Sequence, residues 1–264
     1  MDQENDSPVV LRTLSERVAL VTINRPKARN AINSEVANLL EEVLKKTECN
    51  PEIDVVILTG SGGTVFSAGA DLKEVAAGRF SSLFTECGGF AGFVHAKRRK
   101  PWIAAVDGLA LAGGCEIALA CDLIVASESA EFGLPEVSRG LIASAGGLYR
   151  LTRSLPKVLA IELILTAGRL PAARAMAFGL VNRITEDGCA VDAAHDLALQ
   201  ISVNAPLAVR ESLGIARLSY DLSEEALQKM SDESQERLMV TKDFTEGPKA
   251  FAEKRNPEWS RVGI

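Results

Sequence analysis

Apolar and polar positions along this chain follow one pattern up to about residue 155 and another after it. In the first part, short apolar or β-rich runs alternate with stretches at helical spacing. Residues 8–23 hold two β-rich runs around Ser15-Glu16-Arg17, and VALVTIN at 18–24 stops just short of Pro26, which predicts an opening hairpin. From Ser34, read as an N-cap, Val36, Leu39, Leu40, Val43 and Leu44 recur at helical spacing as far as the Asn50-Pro51 break. That predicts an amphipathic helix. VVILTG at 55–60, PWIAAVDG at 101–108 and CDLIVAS at 121–127 are nearly unbroken apolar runs, as expected of strands covered on both faces. A helix-compatible segment follows Gly114, so strand and helix alternate and predict a parallel, crossover-connected α/β sheet. Beyond residue 155 the β signal fades, and 157–167, 171–178, 190–202, 205–219, 223–239 and 246–254 fit helices separated by proline or glycine. Pro206 falls near a first helical turn, where its missing N–H costs little. No internal repeat or low-complexity segment is visible.

Composition narrows the class. With 264 residues, 47% of them apolar, the chain can bury a substantial core as one large domain or as a domain plus a small appendage. Twenty-nine basic against 35 acidic residues, a net charge of −6, disfavour nucleic acid or an anionic membrane as partner. The start MDQENDSPVV lacks the basic and apolar regions of a secretory signal, which implies a cytoplasmic protein. Cysteines at 49, 87, 115, 121 and 189 are odd in number and form no CxxC pair. With only His95 and His195 beside them, neither a disulfide framework nor a metal site is expected. The apolar stretch 101–126 carries Asp107, Glu116 and Asp122 and so reads as buried core, not a membrane span.

Against this background two carboxylates stand out. Glu116 ends the run GLALAGGCE at 108–116, and Glu136 follows EFGLP at 131–135. Charges in such surroundings are seldom buried unless paired or used, so the two form a candidate acid/base pair. Three segments combine small residues with a strand end: FSAGADLK at 66–73, ALAGGCE at 110–116, and Gly140 to Gly147. In the first, a ligand can approach the main chain at Ala68-Gly69-Ala70 ahead of a helix that Asp71 can cap. In the second, Gly113-Gly114 opens a helix directly after a strand. N–H groups from two such helix starts, converging on one oxygen, would make an oxyanion hole. Glu116 would lie one turn into the second helix, and Glu136 can face it. Apolar surroundings push a carboxyl pKa upward, which suits acid/base work near neutral pH.

Other groups read more plainly. The basic run Lys97 to Lys100 reads as a solvated helix end favourable to the dipole. His95, His195 and Cys115 read as structural, and Ser144 has no histidine nearby in sequence for a hydrolase triad.

FSAGADLK, KPWIAAVDGLALAGGCEIALACD, FGLPE and GLYRL, with NRPKARNAIN at 24–33 and EGPKAFAEKR at 246–255, resemble the enoyl-CoA hydratases of the crotonase superfamily, in the family's order and from about residue 10 to the end. The resemblance implies a spiral of ββα repeats over residues 1–200. It also implies a C-terminal helical region, 201–264, that forms trimers, commonly as a dimer of trimers. It makes the amides of Ala70 and Gly113 the oxyanion donors to the thioester of an acyl-CoA substrate, so that coenzyme A arrives with the substrate and no separate cofactor is implied. Glu116 would activate water to attack C3, and Glu136 would protonate C2. For coenzyme A it points to the backbone around Ala68 and from Asp71 through Leu72 to Lys73, with Lys27, Arg29 and Lys73 near the phosphates. Surface lysines and arginines are ordinarily just solvated, which makes these three the weaker assignments. Phe251 and Lys254 would reach the nucleotide of a neighbouring subunit. One departure stands out: where hydratases read GxxPGAGG, this chain has GLIASAGG at 140–147, with Ala143 and Ser144 replacing proline and glycine. That loop flanks the glutamates in relatives and bears on acyl specificity. FGLPE and the tail EGPKAFAEKRNPEW also resemble carnitinyl-CoA dehydratases, which use the same two glutamates on a cationic acyl chain. Isomerisation of the double bond on the same scaffold, or acyl-CoA binding without catalysis, are the remaining readings.

Overall fold

The two β-rich runs at the start pair as expected in the computed structural model, which describes residues 7–260. The acidic stretch at 1–6, part of the basis for expecting a cytoplasmic chain, lies outside the described residues. Strands β1 (Val9–Ser15) and β2 (Arg17–Ile23) form an antiparallel hairpin, followed by helix α1 (Ser34–Cys49). The cap of α1 is Asn33 and not Ser34: the Asn33 side chain accepts the Val36 N–H, and Ser34 is the first helical residue.

From here one unit is used three times: a strand of a large sheet, a short strand of a second sheet, then a helical segment. The first turn is β3 (Ile53–Gly60), β4 (Val65–Ser67) and α2 (Leu72–Ala76). A small hairpin, β5 (Phe84–Thr85) and β6 (Gly89–Phe90), intervenes. The second turn is β7 (Trp102–Val106), β8 (Leu109–Leu111) and α3 (Gly113–Ala120). The third is β9 (Leu123–Ser127), β10 (Glu131–Gly133) and a 3-10 turn over Pro135–Arg139, after which α4 (Gly147–Ser154) and α5 (Lys157–Thr166) follow. The chain continues through β11 (Arg169–Pro171), α6 (Ala172–Ala177), β12 (Arg183–Thr185) and α7 (Ala190–Ser202). It finishes with α8 (Pro206–Arg217), α9 (Glu224–Met239) and α10 (Lys242–Glu253). The large sheet runs β1-β2-β3-β7-β9-β12 and the second runs β11-β10-β8-β4. All neighbours are parallel except β1 with β2 and β11 with β10. This is a spiral of ββα units.

Burial explains the unbroken apolar strands. Along β3, Val55 and Ile57 face one core with Ile103, Ala105 and Val125, closed by Ala190, Ala194 and Ala198 of α7. Val56 and Leu58 face the other core, shared with α1 and the second sheet. Both faces are covered, so polar alternation disappears. The alanines of α7, four residues apart, line up on one helical face and let it lie close to the sheet.

Three expectations need correction. β11 and β12 fall in the part of the chain read as helical, because three-residue strands are too short to show a period. Helix α10 begins at Lys242, capped by the Thr241 hydroxyl, earlier than residue 246. Its internal Pro248 marks the place that read as a start. The run Lys97 to Lys100 is neither helical nor wholly solvated: Lys100 is 1% exposed, and its ammonium donates to the Thr47 and Asn50 carbonyls. It therefore serves a helix dipole, but that of α1, from inside the protein, and burial lowers its pKa to about 8. Among the described residues all five cysteines are free, and no helix is long and apolar enough to cross a membrane.

Candidate active site

Strands β4, β8 and β10 are parallel neighbours in the second sheet, so their C-terminal ends open side by side. Each end runs into one of the singled-out segments: Ala68-Gly69-Ala70 after β4, Gly113 to Glu116 after β8, and Pro135-Glu136 after β10. The carboxyl ends of parallel strands are where α/β sheets present free backbone groups and helix N-termini to ligands. The spiral thus collects segments far apart in sequence.

The two amides are free for physical reasons. Ala70 forms a single parallel bridge with Ile32, in which Ile32 takes both hydrogen bonds, from the Asp71 N–H and to the Gly69 carbonyl. The Ala70 N–H consequently points away from Ile32, and it donates to no backbone acceptor among the described residues. Gly113 is the first residue of α3, where an N–H has no intrahelical partner. The two loops touch: a methyl group placed on Gly69 (φ 85°) would lie 2.6 Å from the Gly113 nitrogen. Only glycine permits that approach. Behind the first loop the Ser67 hydroxyl donates to the Asn30 carbonyl and accepts the Gly69 N–H. Asn30, fully buried, donates through its amide to the Ser61 and Val65 carbonyls.

Glu116 is 4% exposed, with Oε1 accepting the Gly147 N–H at 2.9 Å. Burial pushes its pKa up to about 7, opposed by that N–H and by Arg150, and reinforced by the charge of Glu136. Glu136 sits in the first turn of the Pro135–Arg139 segment, a 3-10 turn. Its pKa is raised, again chiefly by burial, and its Oε2 is buried without a hydrogen-bond partner among the described residues. A buried acceptor left unpaired costs free energy, and this one is available to bind a proton or a ligand. Cys115, between Gly114 and Glu116, is fully buried, and its thiol pKa is driven upward by burial and by both glutamates. Together these groups offer two donors for an oxyanion and two carboxyls that burial keeps protonated to higher pH than a solvated glutamate.

The remaining predicted residues divide by location. Ala68 donates its N–H to the Arg29 carbonyl, which ties the loop carrying Lys27 and Arg29 to the Ala70 loop. Lys27, Arg29, Leu72 and Lys73 are exposed around that mouth. Asp71 caps α2 through the Lys73 N–H and pairs with Arg25 at 3.1 Å. Phe251 and Lys254 belong elsewhere: they end α10, which packs on α9, and Phe251 is 87% exposed. Sequence reasoning missed Gly147, Arg150, Ser67 and Asn30. All four lie inside quoted motifs, GLYRL, FSAGADLK and NRPKARNAIN, but hydrogen bonds to distant backbone leave no mark in composition or spacing.

The enoyl-CoA hydratase/isomerase family model matches residues 13–261 of the chain. The carnitinyl-CoA dehydratase of Proteus mirabilis (strain HI4320) is 39% identical over 244 residues, spanning 90% of this chain and 93% of that protein. The crystal structure of enoyl-CoA hydratase from Mycobacterium tuberculosis H37Rv superposes with a TM-score of 0.93 at 43% identity, covering 97% of this chain and all of the other. The structure of a carnitinyl-CoA dehydratase from Mycobacterium avium 104 gives 0.73 at 44% identity, covering 96% and 98%.

Proposed function

Because the chain belongs to the enoyl-CoA hydratase/isomerase family, we propose that it adds water across the 2,3 double bond of an enoyl-CoA thioester. The observation that carries this reading is the juxtaposition of Glu116 and Glu136, both with pKa values raised by burial, with the free amides of Ala70 and Gly113. The thioester oxygen sits between the two amides, where negative charge develops as C3 is attacked and an enolate forms. Glu116, ionised, takes a proton from the water that attacks C3. Glu136, protonated, delivers a proton to C2. The unpaired Oε2 of Glu136 is the atom available for that transfer. The two carboxyls titrate as a coupled pair, so the pH profile belongs to the pair.

For coenzyme A, the exposed Lys27, Arg29 and Lys73 around the Ala68–Lys73 segment supply the basic rim. Phe251 and Lys254 contribute from a neighbouring subunit of a trimer or dimer of trimers.

The test is loss of enoyl-thioester absorbance on adding crotonyl-CoA. Glu116→Gln or Glu136→Gln should each lower kcat by roughly a hundred- to ten-thousand-fold with the fold intact. Activity that ignores both substitutions sinks the reading. Dehydration of a carnitinyl-CoA is the second reading, favoured by the 39% identity to the Proteus mirabilis protein. It uses the same groups in reverse, and a higher kcat/KM for crotonobetainyl-CoA than for crotonyl-CoA selects it. An isomerase would leave substrate mass unchanged, and a non-catalytic binder would leave the substrate itself unchanged.

A further inference from the structure

The GLYRL motif holds a residue that neither the oxyanion amides nor the carboxylate pair accounts for. Arg150 lies in the first turn of α4, yet its guanidinium folds back toward the loop before the helix. One Nη donates to the Ala145 carbonyl at 3.0 Å, and the other reaches the Val94 carbonyl at 2.5 Å, far away in sequence. This return path exists only because residue 146 is glycine: a methyl group there, at φ 112°, would lie 2.1 Å from the Arg150 Nη1. The loop held in this way is the one whose Gly147 N–H binds Glu116. Through Arg150, Gly146 and Gly147 the guanidinium is linked to the Glu116 carboxylate without touching the reacting atoms.

We propose that Arg150 is a positioning residue for Glu116: by clamping the Ala145 and Val94 carbonyls it fixes the Gly147 N–H on the carboxylate and places a positive charge beside it. The inference rests on reading Glu116 as the base that activates water. The groups that bear on Glu116 are few. Arg150 comes from α4. Glu136, with Arg139 acting on it, comes from the 3-10 turn, and Cys115 lies on α3 itself. β4 and β8 bring no charged side chain. Tyr149 and His95 neighbour the guanidinium: its carbon lies 5.3 Å from the Tyr149 ring centre, and the His95 ring bonds the Tyr149 hydroxyl at 3.1 Å. Arg150 also lowers the pKa of His95, after burial. Loss of the guanidinium would disfavour the ionised form of Glu116, so its titration would move to higher pH.

The experiment follows the Glu116 carboxyl directly, by infrared titration of protein carrying carbon-13 glutamate, with Glu116→Gln used to assign the band. Arg150→Met should raise the Glu116 midpoint by roughly one pH unit. Arg150→Lys keeps the charge but cannot span both carbonyls, so it should bring the midpoint only part of the way back toward the native value. In enoyl-CoA hydration, Arg150→Met should move the acid limb of the kcat profile upward by the same amount and leave KM within about twofold. Arg150→Lys should restore the limb in part while kcat stays reduced. An unchanged Glu116 midpoint in folded Arg150→Met overturns the proposal. So does a midpoint in Arg150→Lys displaced as far as in a neutral variant; Arg150→Gln is the neutral comparison should the methionine variant not fold. The infrared titration needs no turnover, so native protein that fails to hydrate any enoyl-CoA refutes the hydratase reading while leaving the Arg150 result readable.

Discussion

A carboxyl group transferred from water into the interior of a protein resists ionisation, and Glu116 shows how that resistance is moderated without being abolished. Burial raises its pKa from 4.5 to about 7, while the backbone N–H groups of Gly147 and Ala145 and one guanidinium pull it back. The folded state therefore binds this proton more tightly than the unfolded chain does. The associated stability is complete below about pH 4.5 and is lost as pH rises through about 7, a cost on the order of 3 kcal/mol in alkaline solution. Glu116→Gln keeps the shape and discards the charge. Its melting temperature should match the native protein at about pH 5 and exceed it by several degrees at about pH 9. A difference that does not change with pH would show that Glu116 carries no such burden. The placement of Glu116 was legible in sequence, because a lone charge in GLALAGGCE has no other purpose. Its partners Gly147 and Arg150 were not, since nothing in the order of residues reveals which amide a carboxylate will meet.

At the scale of elements, catalytic geometry in this reading depends on how strand ends are buttressed. The Ala70 amide is set free because Ile32 occupies the other side of its strand, and the loop is held by Ser67, bonded to Asn30 on one side and Gly69 on the other. Ser67→Ala removes both bonds within a fully buried setting. It should cost roughly 1–3 kcal/mol of stability and lower kcat more than it raises KM, as urea unfolding and steady-state kinetics on one preparation would measure. Equal loss of kcat in variants of comparable instability elsewhere would deny Ser67 this role. The long strands and helices were readable from period alone, β3 being the clearest. The short strands β4, β8 and β10, which hold the site, span three residues each and carry no period. Their glycine-rich exits were the visible trace. The cap of α1 shifted by one residue, to Asn33, because Asn33 and Ser34 are both good caps and only the backbone decides between them.

The whole molecule leaves apolar surface unsatisfied. Val158 and Leu165 of α5 are 79% and 71% exposed, and Val240 and Phe251 at the C-terminal helices are 88% and 87% exposed. In the proposed trimer, side chains of this kind would bury against another chain. Light scattering should give a mass three or six times that of one chain, and a monomer would contradict the trimeric reading in which Phe251 and Lys254 complete a neighbour's site. The three-turn spiral that builds this molecule was hidden in sequence, because each turn repeats a geometry and not a set of residues.

The central claim is that water crosses a conjugated double bond between Glu116 and Glu136. It is tested most directly by incubating the protein with crotonyl-CoA and crotonobetainyl-CoA in water enriched in heavy oxygen and weighing the products. The native protein should place one heavy oxygen at C3 of a hydrated thioester, and Glu116→Gln and Glu136→Gln should not. Product of unchanged mass, or hydration that survives both substitutions, would contradict it.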